Sequence, residues 1–397
     1  MLNLRMANYS LINSVVVVIL FWFSATAAAR KQDDGICKSM AVSQGYICQE
    51  HKVTTEDGYI LSMQRLPADS FGTPSYKPPV LLQHGILTDG SIWLYNSPNQ
   101  SLAFILADNG FDVWIGNSRG TTHSKGHTSL CPKDPDYWNW SWDELAAFDL
   151  PATINYVHSQ TAQKLHYVGQ SLVNGSLTVL AALSQEKLLN TVGAVALFTP
   201  IAYLGHTKSL MAKAVSNLFL AEAFYWLGLH EFLPSGVATS MLFEDICNKP
   251  GFNCSDIMSA ITGPNCCIDP SSEHVLEPQP TATKTMIHLS QMVRRGNLAM
   301  YDYGNIIENM VHYKKLTPPT YDLTMIPNDI PLFLGCGEKD FLVDERDMQI
   351  LLNKLQDHDT DKLTVLKIKD YAHADFLFGF NANQVVYEPL IDFLDSN

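Results

Sequence analysis

Long apolar runs are scarce in this sequence. Beyond residue 29 no segment approaches the ~20 consecutive apolar residues of a membrane span, so nothing after the N-terminus reads as membrane-embedded. Basic residues are also few: 26 Lys and Arg against 40 Asp and Glu leave a net charge of −14. A surface this acidic repels a phosphate backbone and argues against nucleic-acid binding. It argues equally against a mainly electrostatic hold on anionic membranes, leaving apolar contact with neutral lipid as the expected approach. Eight cysteines in 397 residues are too sparse for a disulfide scaffold. Internal repeats, low-complexity tracts and long linkers are absent. The 46% of apolar residues supply a core and exclude a largely disordered chain. Length alone admits two or three domains or one large α/β domain.

What is present begins at the N-terminus. Residues 1–29 carry one charge, Arg5, then an apolar core from Leu11 to Phe23, then small residues from Ser24 to Ala29. This is the three-part pattern of a cleaved signal peptide and implies the secretory pathway. The rival reading is a retained signal anchor, since the uncharged stretch from Met6 to Ala29 is just long enough to span hydrocarbon. An oxidising route permits disulfides. Cys37 and Cys48 are spaced to close a small loop, Cys247, Cys254, Cys266 and Cys267 admit three pairings, and Cys131 and Cys336 read as free thiols. No C-x-x-C and no close His pair accompanies the cluster, so neither a metal nor a cofactor is expected. Asn99 and Asn253 head glycosylation sequons; the sequon at Asn139 lies in an apolar setting that suggests burial.

Residues 50–66 read as two strands around an Asp57-Gly58 turn. Short apolar runs then recur at 79–83, 111–115, 165–168, 192–198, 330–334 and 363–368, the pattern of strands buried on both faces. Helical patterns at 101–109, 142–159, 177–185, 344–355 and 384–394 alternate with them. The fold expected is α/β, a mostly parallel sheet with helices on both faces. The alternation stops between about Tyr203 and Thr320, a stretch too long for a structureless loop, and it is read as an inserted helical cap over the strand ends.

Val168-Gly-Gln-Ser171 follows a strand and precedes a helix, the setting of a nucleophile elbow. A serine hydroxyl needs a base to take its proton. Asp340 and His373 follow the last two strands, in the order acid then base that this fold uses. Asp344 and Asp375 are rival acids, Asp344 the better placed, and Ser176 is a weaker rival nucleophile. The backbone N–H groups of Ile86, after the His84-Gly85 strand end, and of Leu172 are the expected oxyanion donors. His123 and His127 read as loop residues, and Trp138, Trp140 and Trp142 as packing.

From about Cys48 to the C-terminus the chain resembles the acid lipase family, which includes gastric, lysosomal and plant triacylglycerol lipases. The resemblance rests on Asp57-Gly-Tyr-Ile-Leu61, Leu82-Gln-His-Gly85, the run from Leu106 to Gly120, Trp138-Asn-Trp-Ser-Trp-Asp-Glu144, Tyr301-Asp-Tyr-Gly304, Gly337-Glu-Lys-Asp340 and His373-Ala-Asp375. It implies an α/β-hydrolase fold, a helical lid and Ser171-Asp340-His373 hydrolysis of neutral lipid esters at a lipid–water interface, in an extracellular, lysosomal or vacuolar setting. It also favours Asp340 over the rival acids.

One motif departs from the family pattern G-H-S-[QL]-G-[TS]. Here Gln170 replaces the His, and two residues are inserted between Leu172 and Gly175. Val173 puts a β-branched side chain where the turn is tight. If the following helix keeps its register, the extra residues bulge and draw the Leu172 N–H away from the oxyanion. The insertion also creates a sequon at Asn174, expected to be unused inside the fold. Two alternatives to a triacylglycerol lipase follow: a lipase-like lipid binder disabled at the elbow, and a steryl esterase or phospholipase.

Overall fold

The computed structural model describes residues 35–68, 76–233, 259–268 and 278–397. The expected signal peptide, Cys247, Cys254 and the Asn253 sequon lie outside them. The strands are β1 (Gln49–Thr54), β2 (Tyr59–Leu66), β3 (Val80–Gln83), β4 (Val113–Gly116), β5 (Gly126–His127), β6 (Leu165–Gln170), β7 (Val192–Phe198), β8 (Glu231–Phe232), β9 (Thr281–Ala282), β10 (Leu332–Gly337) and β11 (Leu363–Ile368).

Nine of them form one sheet in the order β1-β2-β4-β3-β6-β7-β10-β11, with β5 beside β2. Pairing is antiparallel from β1 to β4 and parallel from there to β11. The central strands β3, β4 and β6 are buried along their whole length, which is why they read as unbroken apolar runs. β11 departs from that expectation. It is the sheet edge, and Thr364, Val365 and Lys367 are exposed; a lysine on an edge discourages pairing with another chain. Apolar side chains pack on both faces. One cluster includes Ile154, Leu180 and Leu351 from helices Leu150–Thr161, Leu177–Leu183 and Glu345–Lys354. The other includes Phe104 and Leu390 from helices Leu102–Asp108 and Glu388–Asp395.

Between β7 and β10 the described residues carry helices Leu210–Asn217, Leu220–Trp226, Thr283–Arg295 and Ile306–Tyr313 and the small antiparallel pair β8–β9. This stretch is tied to the sheet domain through the tryptophan-rich segment. Ser141 and Glu144 form a capping box that starts a helix at Trp142. The Trp142 ring stacks on His288 at 4.6 Å. Asp143 accepts hydrogen bonds from the Tyr301 N–H at 2.7 Å and the Tyr321 hydroxyl at 2.8 Å. Trp138, Trp140 and Trp142 are buried packing residues, but Asn139 between them is exposed, contrary to the burial its neighbours suggest. Its Oδ1 accepts from Lys284 Nζ at 3.2 Å.

These buried groups give stability a pH dependence. Burial pushes His288 down to about 3 and His166 down to about 4. Both lie below the ordinary value near 6.5, so the unfolded chain takes up these protons first. Their contribution is whole above pH 6.5 and is lost as pH falls towards 4. Asp143 acts in the opposite sense: burial pushes it up to about 7, so the folded chain holds its proton longer and is penalised as pH rises from about 4 to 7. An Asp143→Asn variant is therefore expected to gain in melting temperature relative to wild type as pH rises through that window. A pH-independent difference would sink this assignment.

Cys37 is bonded to Cys48, and Cys266 to its neighbour Cys267. Cys131 and Cys336 are unpaired, Cys131 exposed and Cys336 buried. Among the described residues no helix is long and apolar enough to cross a membrane.

Candidate functional site

The site forms at the C-terminal ends of β6, β10, β11 and β3. β6 ends at Gln170, and Ser171 then takes a positive φ of 64°. That left-handed turn lifts its hydroxyl off the strand axis. The chain can turn so sharply only because strand and helix meet through glycines. A Cβ on Gly169 would lie 1.9 Å from the Gly175 carbonyl oxygen, and one on Gly175 would lie 1.9 Å from that of Gln170.

Gly175 thus occupies the close-approach position, four residues after the serine, and the two additional residues bulge out before it. Leu172 is extended, and Val173 sits at φ 63°, ψ −97°, a conformation that costs a β-branched residue about 1–3 kcal/mol. The bulge is not loose. The Asn174 carbonyl accepts from the Tyr167 hydroxyl at 2.6 Å and from Thr178 Oγ1 at 2.8 Å. Asn174 is buried. The buried Asn174 Oδ1 and Ser176 Oγ have no hydrogen-bond partner among the described residues.

Three side chains from distant parts of the chain converge. Ser171 Oγ is hydrogen-bonded to His373 Nε2, and His373 Nδ1 lies 2.7 Å from Asp340 Oδ2. All three residues are buried. The other Asp340 oxygen accepts the N–H groups of Leu342 at 2.7 Å and Val343 at 2.9 Å, which fixes the carboxylate. Asp340 Oδ2 can only accept from Nδ1–H, so Nε2 is left as the acceptor facing the serine. The rival acids are elsewhere. Asp344 caps helix Glu345–Lys354 through the Arg346 N–H and pairs with Lys208 at 3.0 Å. Asp375 accepts from the N–H groups of Ala372 at 2.7 Å, Cys267 at 3.0 Å and Cys266 at 3.2 Å.

The strand end at β3 runs beside the serine. A Cβ on Gly85 would come 2.9 Å from that of Ser171, and the next residue, Ile86, offers an N–H with no hydrogen bond among the described residues. His84 shapes this end: its Nε2 accepts the Ser118 N–H at 3.1 Å, and its Nδ1 lies 2.7 Å from the Gly85 carbonyl. Burial holds it below the ordinary histidine range, in the neutral form. His127 belongs to β5 rather than a loop; its Nδ1 accepts from the Ser129 and Leu130 N–H groups. His123 lies 3.8 Å from Asp89.

Sequence reasoning missed the strap that holds the two loops of the site. The Thr262 carbonyl accepts both the His373 N–H and the Phe341 N–H, each at 3.2 Å. These are backbone contacts across more than seventy residues, and no side-chain pattern announces them.

Comparison with known proteins agrees with this architecture. Residues 37–97 match the family described as a partial alpha/beta-hydrolase lipase region, and residues 78–227 match the alpha/beta hydrolase fold. The chain is 45% identical over 366 residues to triacylglycerol lipase 2 of Arabidopsis thaliana, covering 90% of this chain and 87% of that one. It is 35% identical over 368 residues to human gastric triacylglycerol lipase, with 89% of each chain covered. The chain belongs to the acid lipase family of α/β-hydrolases and is by class a carboxylic ester hydrolase. Among solved structures, a soluble variant of the Saccharomyces cerevisiae monoglyceride lipase superposes with a TM-score of 0.53 at 15% identity, over 94% of this chain and 99% of that one. A carboxyl esterase from Bacillus coagulans gives 0.51 at 13% identity, over 88% of this chain and 98% of that one. Both share the fold.

Proposed function

We propose that the protein is a secreted triacylglycerol lipase whose reaction runs through Ser171, His373 and Asp340. The observation that carries the reading is the hydrogen-bonded chain from Ser171 Oγ through His373 to Asp340. Ser171 Oγ attacks the ester carbonyl while its proton passes to His373 Nε2. The Ile86 N–H receives the developing oxyanion, and the Leu172 N–H is the second expected donor, drawn aside by the bulge. Collapse expels the alcohol, which takes the proton from His373. Water, deprotonated by His373, then releases the fatty acid. Asp340 holds the imidazole in the required tautomer and stabilises its charged form.

The segment between β7 and β10 is proposed as the cap. Leu210, Leu218, Trp226 and Leu227, on or directly after its first two helices, are exposed, as suits a lid that meets neutral lipid. Residues 1–29 are proposed as the signal peptide that routes the protein outward. The exposed Asn99 sequon suits a glycoprotein. Hydrolysis of a short-chain p-nitrophenyl ester and of a triacylglycerol emulsion tests the reading; no turnover of either would refute it.

The elbow bulge bears on rate. Deleting Val173 and Asn174 restores the family spacing, removes a strained residue and returns Leu172 to the start of the helix. The deletion is expected to raise kcat on the soluble ester by about 10- to 100-fold with little change in KM. An unchanged kcat would show that the bulge leaves the oxyanion donor in place.

A further inference from the structure

Helix Ile306–Tyr313 is turned inside out. Amphipathic surface helices normally bury their apolar stripe. Here the residue facing the protein is Asn309, 3% exposed, whose side chain donates to the Asp302 carboxylate at 3.0 Å and to the Leu316 carbonyl at 3.3 Å. The half-buried Tyr313 beside it donates to the Tyr301 carbonyl at 2.8 Å. Four apolar residues form one arc, at positions i, i+1, i+4 and i+5, and face solvent: Ile306, Ile307, Met310 and Val311. Ile307 is 74% exposed, and Leu316 after the helix is 60% exposed. Scattered exposed apolar residues need no explanation, but five within eleven positions make a patch that does.

The charge along this stretch of chain runs against the whole molecule's balance. The whole chain carries −14, yet residues 305–317 hold one acid, Glu308, against Lys314 and Lys315. Both lysines are exposed at the end of the apolar arc. Apolar side chains flanked by lysines are the composition of an element that lies in a lipid headgroup layer. Asp302, the acid in contact with the helix, is paired with Arg295, and acids farther off are screened beyond roughly 10 Å.

We propose that this helix and the lysines after it dock the protein on a lipid surface carrying anionic headgroups, with the apolar arc entering the acyl boundary and Lys314 and Lys315 meeting the headgroups. The inference adds an electrostatic contact to the neutral-lipid approach. It does not depend on the proposed chemistry, because docking can be read with a chain that cannot turn over.

The experiment uses the Ser171→Ala chain and sedimentation with vesicles of phosphatidylcholine alone or with phosphatidylglycerol added. Binding to the mixed vesicles is expected to exceed binding to phosphatidylcholine. Ile307→Glu with Val311→Glu should lower binding to both at least about tenfold, since it places two carboxylates in the apolar layer. Lys314→Gln with Lys315→Gln should abolish the preference for the anionic vesicles, a loss of about tenfold or more. All four positions are exposed, so melting temperatures should match the parent. Wild-type binding by either double variant overturns the proposal, and so does binding to neither vesicle, which would leave the patch to a protein partner. Failure of ester hydrolysis by the wild-type chain would overturn the proposed function and leave this result standing.

Discussion

Replacing Ser171 by alanine is expected to lower kcat/KM on a soluble ester by about 10⁴- to 10⁶-fold while leaving the fold intact. The side chain is small and buried, and its hydroxyl touches His373 alone among the hydrogen-bonding side chains described, so its loss removes chemistry and little packing. Asp340→Asn should cost about 10⁴-fold, because an amide in place of the carboxylate favours the wrong imidazole tautomer. Two neighbouring variants separate the proposed triad from a general disturbance of the site. Ser176→Ala removes a buried hydroxyl with no hydrogen-bond partner among the described residues, and Asp344→Asn alters a helix cap. Both should leave kcat within a few-fold of wild type. A large loss in either, or a mild loss at Ser171, would move the nucleophile or the acid elsewhere.

The second large effect concerns stability. Arg119 is fully buried between two carboxylates. Its Nη1 lies 2.6 Å from Asp57 Oδ2, and its Nε donates to Asp149 Oδ1 at 2.7 Å. Its guanidinium also lies 3.8 Å over the Tyr59 ring. Removing Asp149 would leave a buried cation with half its partners. Asp149→Ala is expected to cost about 3–5 kcal/mol, or roughly 5 °C in melting temperature for a chain of this size. The double replacement Arg119→Met with Asp149→Leu should cost less than Asp149→Ala alone, because it removes charge from both sides of the pair. Denaturant titration of the three proteins decides; a double variant worse than the single would mean that the ion pair is itself strongly stabilising.

This cluster shows why some of the molecule is legible in sequence and some is not. Asp57, Tyr59 and Arg119 fall in stretches recognisable as family motifs, yet nothing in their order says that they meet. The strands β3, β4, β6 and β7 are readable because burial on both faces forces unbroken apolar runs. β11 reads as one of them although it is an edge, because its Thr and Lys are outnumbered by Leu, Val and Ile within a short apolar run. The placement of Ser171, Asp340 and His373 at strand ends follows from topology, which chain order encodes. Chain order does not choose Asp340 over Asp344 and Asp375, since all three sit near the ends of the last two strands; the family resemblance favours Asp340, and hydrogen-bond geometry separates a histidine partner from a helix cap and a backbone clamp. The elbow is the sharpest case. The sequence places two surplus residues after Leu172, and the structure shows Gly175 taking over the close approach while Val173 carries the strain.

The most direct test of the account is covalent. A fluorophosphonate reacts with a serine whose hydroxyl is activated by a neighbouring base, and mass spectrometry of the digested protein locates the adduct. The account predicts stoichiometric phosphonylation of Ser171, abolished in His373→Ala and matched by loss of ester turnover. An adduct on Ser176 or another serine, or full ester turnover with Ser171 unmodified, would contradict it.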